Sequence, residues 1–416
     1  MFSKIVKPVN GREARLIFAS GIGWMFDAMD VLLLSYILVA ASHELGLTKG
    51  DEGLIILANN VGMLIGAFLF GWLADLWGRR RTFMLTLALY SVGMGLTAFA
   101  SSASDLAAIR LFTGLGLGGE LPVVASLVSE LSPPDRRGRN VVLLESFWSV
   151  GAILAAAIAY FVFPSFGWRA PLLALSAVAL YALAIRATLP ESPQWLRLRD
   201  PARARAIAED YGVTLEGAER RGARELLAKG LRTQTLVLWA SWLLLAFGYY
   251  GAFLWLPSML ARRGYGLVRT FGYSLAMSLA QLPGYLTAAY LVERIGRRPS
   301  LLAFFAGSAA AAVAFAFAPS TAWLLASGVA LNFFNLGAWG LIYAYTPESF
   351  PSDLRGTGMG SSGSMARVGM IVGPLLPVFV SFSAALSIYA VAWLAAGVLI
   401  YALGVETKAL AITSTS

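Results

Sequence analysis

Twelve apolar stretches, each long enough to cross a bilayer as a helix, follow one another along this 416-residue chain. They cover about 18–41, 54–76, 82–102, 105–130, 140–164, 168–188, 233–258, 268–293, 299–318, 321–347, 356–380 and 384–405. A hydrocarbon core about 30 Å thick takes about 20 helical residues. In lipid every backbone N–H and C=O must find its partner inside the segment, which excludes open sheets. An all-α membrane protein with twelve transmembrane helices follows. Composition agrees: 58% of residues are hydrophobic and 13% charged, and the mean hydropathy is +0.70, far above a soluble domain. The basic N-terminus (Lys4, Lys7, Arg12, Arg15) leads into a long first span with no small-residue cleavage site behind it. That span reads as retained, not as a signal peptide.

The net charge is +9, and its distribution is that of a membrane topology. Of the 32 Lys and Arg, 25 fall on the N-terminal tail, the loops after spans 2, 4, 6, 8 and 10, and the C-terminal tail. Five (Lys49, Arg169, Arg262, Arg263, Arg269) fall on the other side, and Arg110 and Arg367 lie inside spans. This positive-inside asymmetry places both termini in the cytoplasm, with the protein multi-pass in the cell's inner membrane. It also removes the reason to expect a nucleic-acid partner. Cysteine is absent and His43 is the one histidine. Thiolate or histidine metal sites and Ser-His or Cys-His catalysis are therefore not expected, nor is any cofactor, and the chain does not read as an enzyme.

The second half repeats the first. An offset of 218 carries Asp75, Gly78, Arg79, Arg80, Glu130 and Gly138 onto Glu293, Gly296, Arg297, Arg298, Glu348 and Gly356. Six spans are thus duplicated, as in transporters built from two parallel bundles. The expected units are an N-terminal six-helix bundle (1–188), a cytoplasmic linker (189–232) and a C-terminal six-helix bundle (233–416). In the linker, Ser192-Pro193 and Asp200-Pro201 read as an N-cap followed by a first helical residue, so short helices are expected. Its ten basic residues, counting Arg186, suit a domain resting on anionic headgroups. Gly62/Gly66 and Gly114/Gly118 have the spacing of close helix packing. Pro257, Pro283 and Pro374 are expected to kink spans where cavities form.

The motifs at the basic loops carry a resemblance. GWLADLWGRRR (71–81), SELSPPDRRGR (129–139) and PESPQWL (190–196), with VERIGRRP and PESFPSDLRGTG in the second half, together resemble the major facilitator superfamily. PESPQWL and the paired acidic and Arg-Gly motifs are similar to those of sugar porters and organic ion transporters. GWMFDAMDV, GGELPVV and ESFWSVGA resemble the bacterial nicotinate (niacin) permease group most closely. Ala289 stands where the second copy of the first motif would open with glycine, and VETK replaces a proline-led C-terminal motif. The resemblance implies a secondary transporter working by alternating access. It also implies an inner gate of Asp75, Arg79, Arg80, Glu130 and Arg137 with Glu293, Arg297, Arg298, Glu348 and Arg355. These would lock the two bundles together at the cytoplasmic rim while the protein faces outward.

The candidate substrate site consists of polar groups deep inside spans. Asp27 and Asp30 lie about 14 and 18 Å along a helix starting at Phe18. Three residues apart, they share a face, and buried acids of this kind usually serve function. Glu120 lies about 22 Å, and Arg367 about 17 Å, into their spans. Glu145, about 8 Å into span 5, is expected in an inner-side polar network. Tyr249, Tyr250, Asn332, Asn335, Trp339 and Tyr343 are polar-tipped or amide groups in apolar helices, suited to an aromatic pocket. Arg367 is the expected counter-charge for a substrate anion; related anion carriers keep an arginine at what looks like this position. The expected cargo is a small aromatic monocarboxylate, nicotinate above all, with protons carried by Asp27 or Asp30 and the protein working as a monomer. A sugar or an organic cation is the alternative cargo.

Overall fold

The computed structural model describes residues 11–407 except 134–136, 187, 198, 214, 216–222, 229 and 352–353. Its long helices, numbered in chain order, are α1 (Gly11–Leu45), α2 (Lys49–Trp77), α3 (Arg79–Thr97), α4 (Ala103–Glu130), α5 (Arg137–Phe161), α6 (Arg169–Arg186), α7 (Arg232–Phe253), α8 (Leu267–Ser278), α9 (Gln281–Ile295), α10 (Arg297–Ala316), α11 (Thr321–Glu348), α12 (Arg355–Val372) and α13 (Phe382–Leu403). No strand occurs among the described residues. Nine described segments are apolar and long enough to span a bilayer. The other long helices, α3, α4 and α6, have 19, 28 and 18 residues; α4 buries Arg110 and Glu120. Between the halves, Ser192 caps a four-residue helix (Pro193–Leu196) and Asp200 caps an eleven-residue one (Pro201–Tyr211), each with proline at the first turn.

Small residues set how closely α2 and α4 approach. A Cβ on Gly62 or Gly66 would meet the Leu111 or Leu115 carbonyl at 2.2 or 2.0 Å, and one on Gly118 the Met63 carbonyl at 1.8 Å. The two backbones are in contact, which no larger residue would allow.

The proline positions are breaks. The helix pauses between Phe253 and Leu256 ahead of Pro257, between Ser278 and Gln281 ahead of Pro283, and at Gly373–Leu375 around Pro374. Pro374 has no N–H for the carbonyl four residues back, that of Met370. Asn60 of the first half donates to that carbonyl at 2.7 Å. The Trp255 indole and the Tyr389 hydroxyl donate to the carbonyls of Pro374 and Gly373 at 2.8 and 2.7 Å. Backbone freed by the break is satisfied by side chains, one of them reaching across the molecule.

The 218-residue repeat is visible atom by atom at the basic end. Gly78 and Gly296 both take positive φ, 102° and 97°, to turn one helix into the next. Arg79 Nη1 donates to the Ala74 carbonyl at 3.0 Å, and Arg297 Nη1 to that of Val292 at 3.3 Å. Arg79 lies 3.6 Å from Glu130, and Arg297 grips Glu348 through Nε and Nη2 at 2.9 and 3.0 Å. A carboxylate caps each following helix: Glu191 accepts from the Arg79 and Arg80 amides, and Glu406 from those of Arg297 and Arg298. Glu191 comes from PESPQWL, and Glu406 from the VETK that replaces the proline-led motif. Among the described residues, the pairs Arg79–Glu130 and Arg297–Glu348 each lie within one half; the gate expected between the halves belongs to the outward-facing state. The side chains of Asp75, Arg137, Glu293 and Arg355 lie outside the described residues.

The halves meet at the opposite end. Arg262 pairs with Glu52 at 3.0 Å, and Lys49 donates to the Val380 carbonyl at 3.1 Å. Tyr36 stands edge-on to Phe271 at 5.6 Å. The structure is thus closed at the end away from the basic loops.

Gly78→Ala should destabilise the protein by roughly 1–3 kcal/mol, since φ is of the kind glycine alone adopts freely and the new Cβ would meet the Glu191 carboxylate at 2.3 Å. Gly46→Ala, also at positive φ (65°) but with nothing within 4 Å, should lower the melting temperature less in the same detergent.

Candidate functional site

A cavity opens midway between the halves. The first half contributes Trp24 of α1, Met63 of α2, and Glu145 and Trp148 of α5. The second contributes Trp242, Tyr249 and Tyr250 of α7, Tyr285 of α9, Leu336, Trp339 and Tyr343 of α11, and Gly363, Ala366, Arg367 and Met370 of α12. Its free volume is about 60 Å³, the scale of a few waters or one small ring.

The walls are aromatic and interlocked. Trp242 meets Tyr343 and Trp339 edge-on at 4.8 and 5.7 Å, and its N–H is held by Thr346 at 2.9 Å. Tyr249 meets Tyr250 and Trp339 edge-on at 5.0 and 5.6 Å. Trp24 lies against Trp148 at 5.1 Å, and the Trp148 indole donates to the Tyr249 hydroxyl at 2.9 Å, joining the halves at cavity depth. Rings held edge-to-face present both faces and edges to a guest.

Two ionisable groups of opposite sign line this space, Glu145 and Arg367. The Arg367 Nη1 contacts only the Met370 sulfur, at 3.8 Å, and no described carboxylate lies within salt-bridge distance. Its charge acts over a longer range on Glu145, Tyr250 and Tyr343. A guanidinium stays charged at any working pH, so it awaits an anion here.

Other expected site residues lie elsewhere. Asp30 accepts from Arg110 Nη1 and Nη2 at 3.1 and 2.6 Å, and Asn59 Oδ1 accepts from Arg110 Nε and Nη2 at 3.2 and 3.1 Å. Asp30 and Arg110 are completely buried. Asp30 is therefore a member of a closed triad of α1, α2 and α4, away from the cavity. Its arginine was legible as a lone charge inside a neighbouring span. Asp27, also fully buried, does not line the cavity, although its charge reaches Tyr250. Glu120 accepts from Thr86 at 3.1 Å between α3 and α4. Asn332 accepts from Gln281 and donates to the Gly328 carbonyl, both at 2.9 Å, and so braces α9 against α11. Asn335 is fully buried and does not line the cavity. Glu145, expected in an inner-side network, instead faces the cavity. Arg367, Tyr249, Tyr250, Trp339 and Tyr343 line the cavity as expected.

Residues 33–415 match the family model described as sugar (and other) transporter. The chain belongs to that family. Within it, the chain is 44% identical over 407 residues to a Bacillus subtilis protein named as a niacin/nicotinamide transporter, NiaP, covering 97% of this chain and 98% of the relative. It is 38% identical over 420 residues to the niacin transporter NiaP of Acinetobacter baylyi, covering 96% of each. The fold is that of the xylose transporter XylE of E. coli in a partially occluded inward open conformation, with a TM-score of 0.79 at 17% identity over 96% of this chain and 99% of XylE. This family member is therefore a multi-pass membrane transporter and not an enzyme.

Asp30→Asn should leave Arg110 buried without its counter-charge, a loss on the order of 3–5 kcal/mol. Melting temperatures should show the double variant Asp30→Asn/Arg110→Gln more stable than the single one. A single variant as stable as the native protein would mean that the pair is not a stabilising contact.

Proposed function

We propose that this transporter imports a small aromatic monocarboxylate, nicotinate, together with protons, by alternating access. The observation that carries the reading is Arg367: a guanidinium without a carboxylate partner, facing a cavity otherwise walled by aromatic rings. A planar carboxylate can take two parallel hydrogen bonds from its fork, and Tyr250 and Trp339 line the same cavity, where a single aromatic ring has rings to pack against. The two NiaP relatives, both named for niacin transport, support the cargo. A positive cavity argues against an organic cation. A sugar would need several hydrogen-bonding groups, and the amides of Asn332 and Asn335 do not line the space.

Closure at the end away from the basic loops fits a state open or opening toward the cytoplasm, with the basic end inside as the charge asymmetry indicates. The groups of both halves that line the cavity would part and rejoin as the bundles rock.

The test is binding to the purified protein. Arg367→Lys keeps the charge but loses the fork and should weaken nicotinate binding; Arg367→Ala should abolish it. Nicotinamide has the same ring and no charge, and one relative's name includes it. It should bind the native protein weakly and change little with either substitution. Equal loss of both ligands in a folded Arg367→Ala protein would make the arginine structural and overturn the assignment.

Proton coupling has a physical motive. A monoanion entering a cell works against about 2.3 kcal/mol per 100 mV, which a co-moving proton cancels. Protonation of Asp30 would release Arg110 from its bidentate grip, altering how α1 is held to α4; Asp27, buried nearby, is the second candidate. In proteoliposomes the native protein should accumulate nicotinate when an inward proton gradient is imposed. Asp30→Asn or Asp27→Asn, if still competent for nicotinate exchange, should equilibrate without accumulating. Accumulation by both variants would exclude these acids as the coupling groups.

A further inference from the structure

Glu145 is 3% exposed, and its Oε1 has no hydrogen-bond partner among the described residues. It stands on the first-half wall of the cavity, and Arg367 on the second-half wall. The helices around α5 surround it with Trp24 and Asp27 of α1, Tyr250 of α7, Tyr285 of α9, Tyr343 of α11 and Arg367 of α12, several of them within electrostatic reach. On α4, Arg110 is committed to Asp30, and Glu120 accepts from Thr86; on α8, Arg269 is exposed. Glu145 is thus the acid of the cavity itself.

An empty cavity holds one carboxyl group and one fixed positive charge, and above the titration of Glu145 both are ionised. A substrate carboxylate on Arg367 would leave an excess negative charge in a space of low dielectric, where an unmet charge is costly. Neutralising the carboxylate across from it removes that cost, and a carboxyl group, once protonated, becomes a donor. Nicotinate carries a ring nitrogen in addition to its carboxylate, and that nitrogen is an acceptor.

We infer that Glu145 takes up one proton as the substrate carboxylate settles on Arg367, and that its O–H then donates to the ring nitrogen. This rests on the nicotinate reading above. It makes Glu145 a specificity-determining residue, separate from the Asp30–Arg110 pair: the guest is read at its carboxylate by one half and at its nitrogen by the other, and so ties the halves together. The substrate class narrows to aromatic acids with a ring acceptor meta to the carboxylate, as in nicotinate. No bond of the substrate is made or broken; one O–H bond forms on Glu145 Oε, and its proton is drawn from hydronium in the solvent.

Calorimetry of the full-length protein, titrated with nicotinate in buffers of different ionisation enthalpy, counts the protons taken up. Above the titration of Glu145 the native protein should take up about one proton per nicotinate more than Glu145→Gln does, and its affinity should fall about tenfold more per pH unit than that of the variant. Benzoate, which lacks the nitrogen, should bind the native protein at least about tenfold more weakly than nicotinate. Glu145→Gln should keep that preference through its amide N–H, and Glu145→Met should lose it. Proton uptake that persists in Glu145→Gln and disappears in Asp27→Asn would overturn the inference, as would equal native affinities for benzoate and nicotinate. The benzoate comparison needs no variant, so a Gln protein that fails to fold does not shield the inference. Absence of nicotinate binding to the native protein would instead defeat the cargo reading on which it rests.

Discussion

A guanidinium inside a bilayer cannot shed its proton, so something must meet its charge. The two arginines within the spans do this in opposite ways. Arg110 is enclosed by Asp30 and Asn59 within the first half, so its charge is neutralised whatever the second half does. Arg367 has only a methionine sulfur at hand and a cavity in front of it. The first arrangement ties α1, α2 and α4 together within one half in this conformation. The second is an open valence at the division between the bodies. A transporter needs both: bundles rigid enough to move as units, and a site whose completion depends on what is carried.

The same division runs through the rest of the structure. At the basic end each half closes its own turn with its own carboxylate, Glu191 or Glu406, and its own arginine–glutamate pair. At the other end Arg262–Glu52, Lys49 and the Tyr36–Phe271 contact join the halves. Between them lie the Trp148–Tyr249 and Asn60–Met370 hydrogen bonds. The latter fills a carbonyl that Pro374 leaves empty, so the break in α12 creates an attachment point beside Arg367. The charge pairs of the basic end lie inside each half and are repeated by duplication. Contacts between halves are fewer and mostly single hydrogen bonds, which a rocking motion can exchange.

Much of the fold was legible before any coordinates. Helices are dictated by the bilayer, and span ends follow from where apolar runs stop. The duplication could be read from an identical spacing of Asp75 to Glu130 and Glu293 to Glu348, and the proline breaks from chemistry. The site was legible in part. Arg367 and the aromatic side chains stood out because each is anomalous in its own helix. Their partners did not, because which face a residue turns depends on packing between helices. Asp30 points to α4 and not to the cavity because Arg110 is there. Asn332 points to Gln281. Glu145, near a helix end by residue count, reaches the cavity because α5 lies along it. Depth along a helix is linear in sequence, but facing is a tertiary property.

The central claim is that Arg367 is held open for the carboxylate of an aromatic cargo. The most direct measurement is an experimental structure of the protein with nicotinate bound in a lipid environment. The account predicts the carboxylate in the guanidinium fork of Arg367, with the ring between the aromatic walls of α7 and α11. Nicotinate bound outside this cavity, or Arg367 engaged by Asp27 or Glu145 while the ligand sits elsewhere, would contradict it.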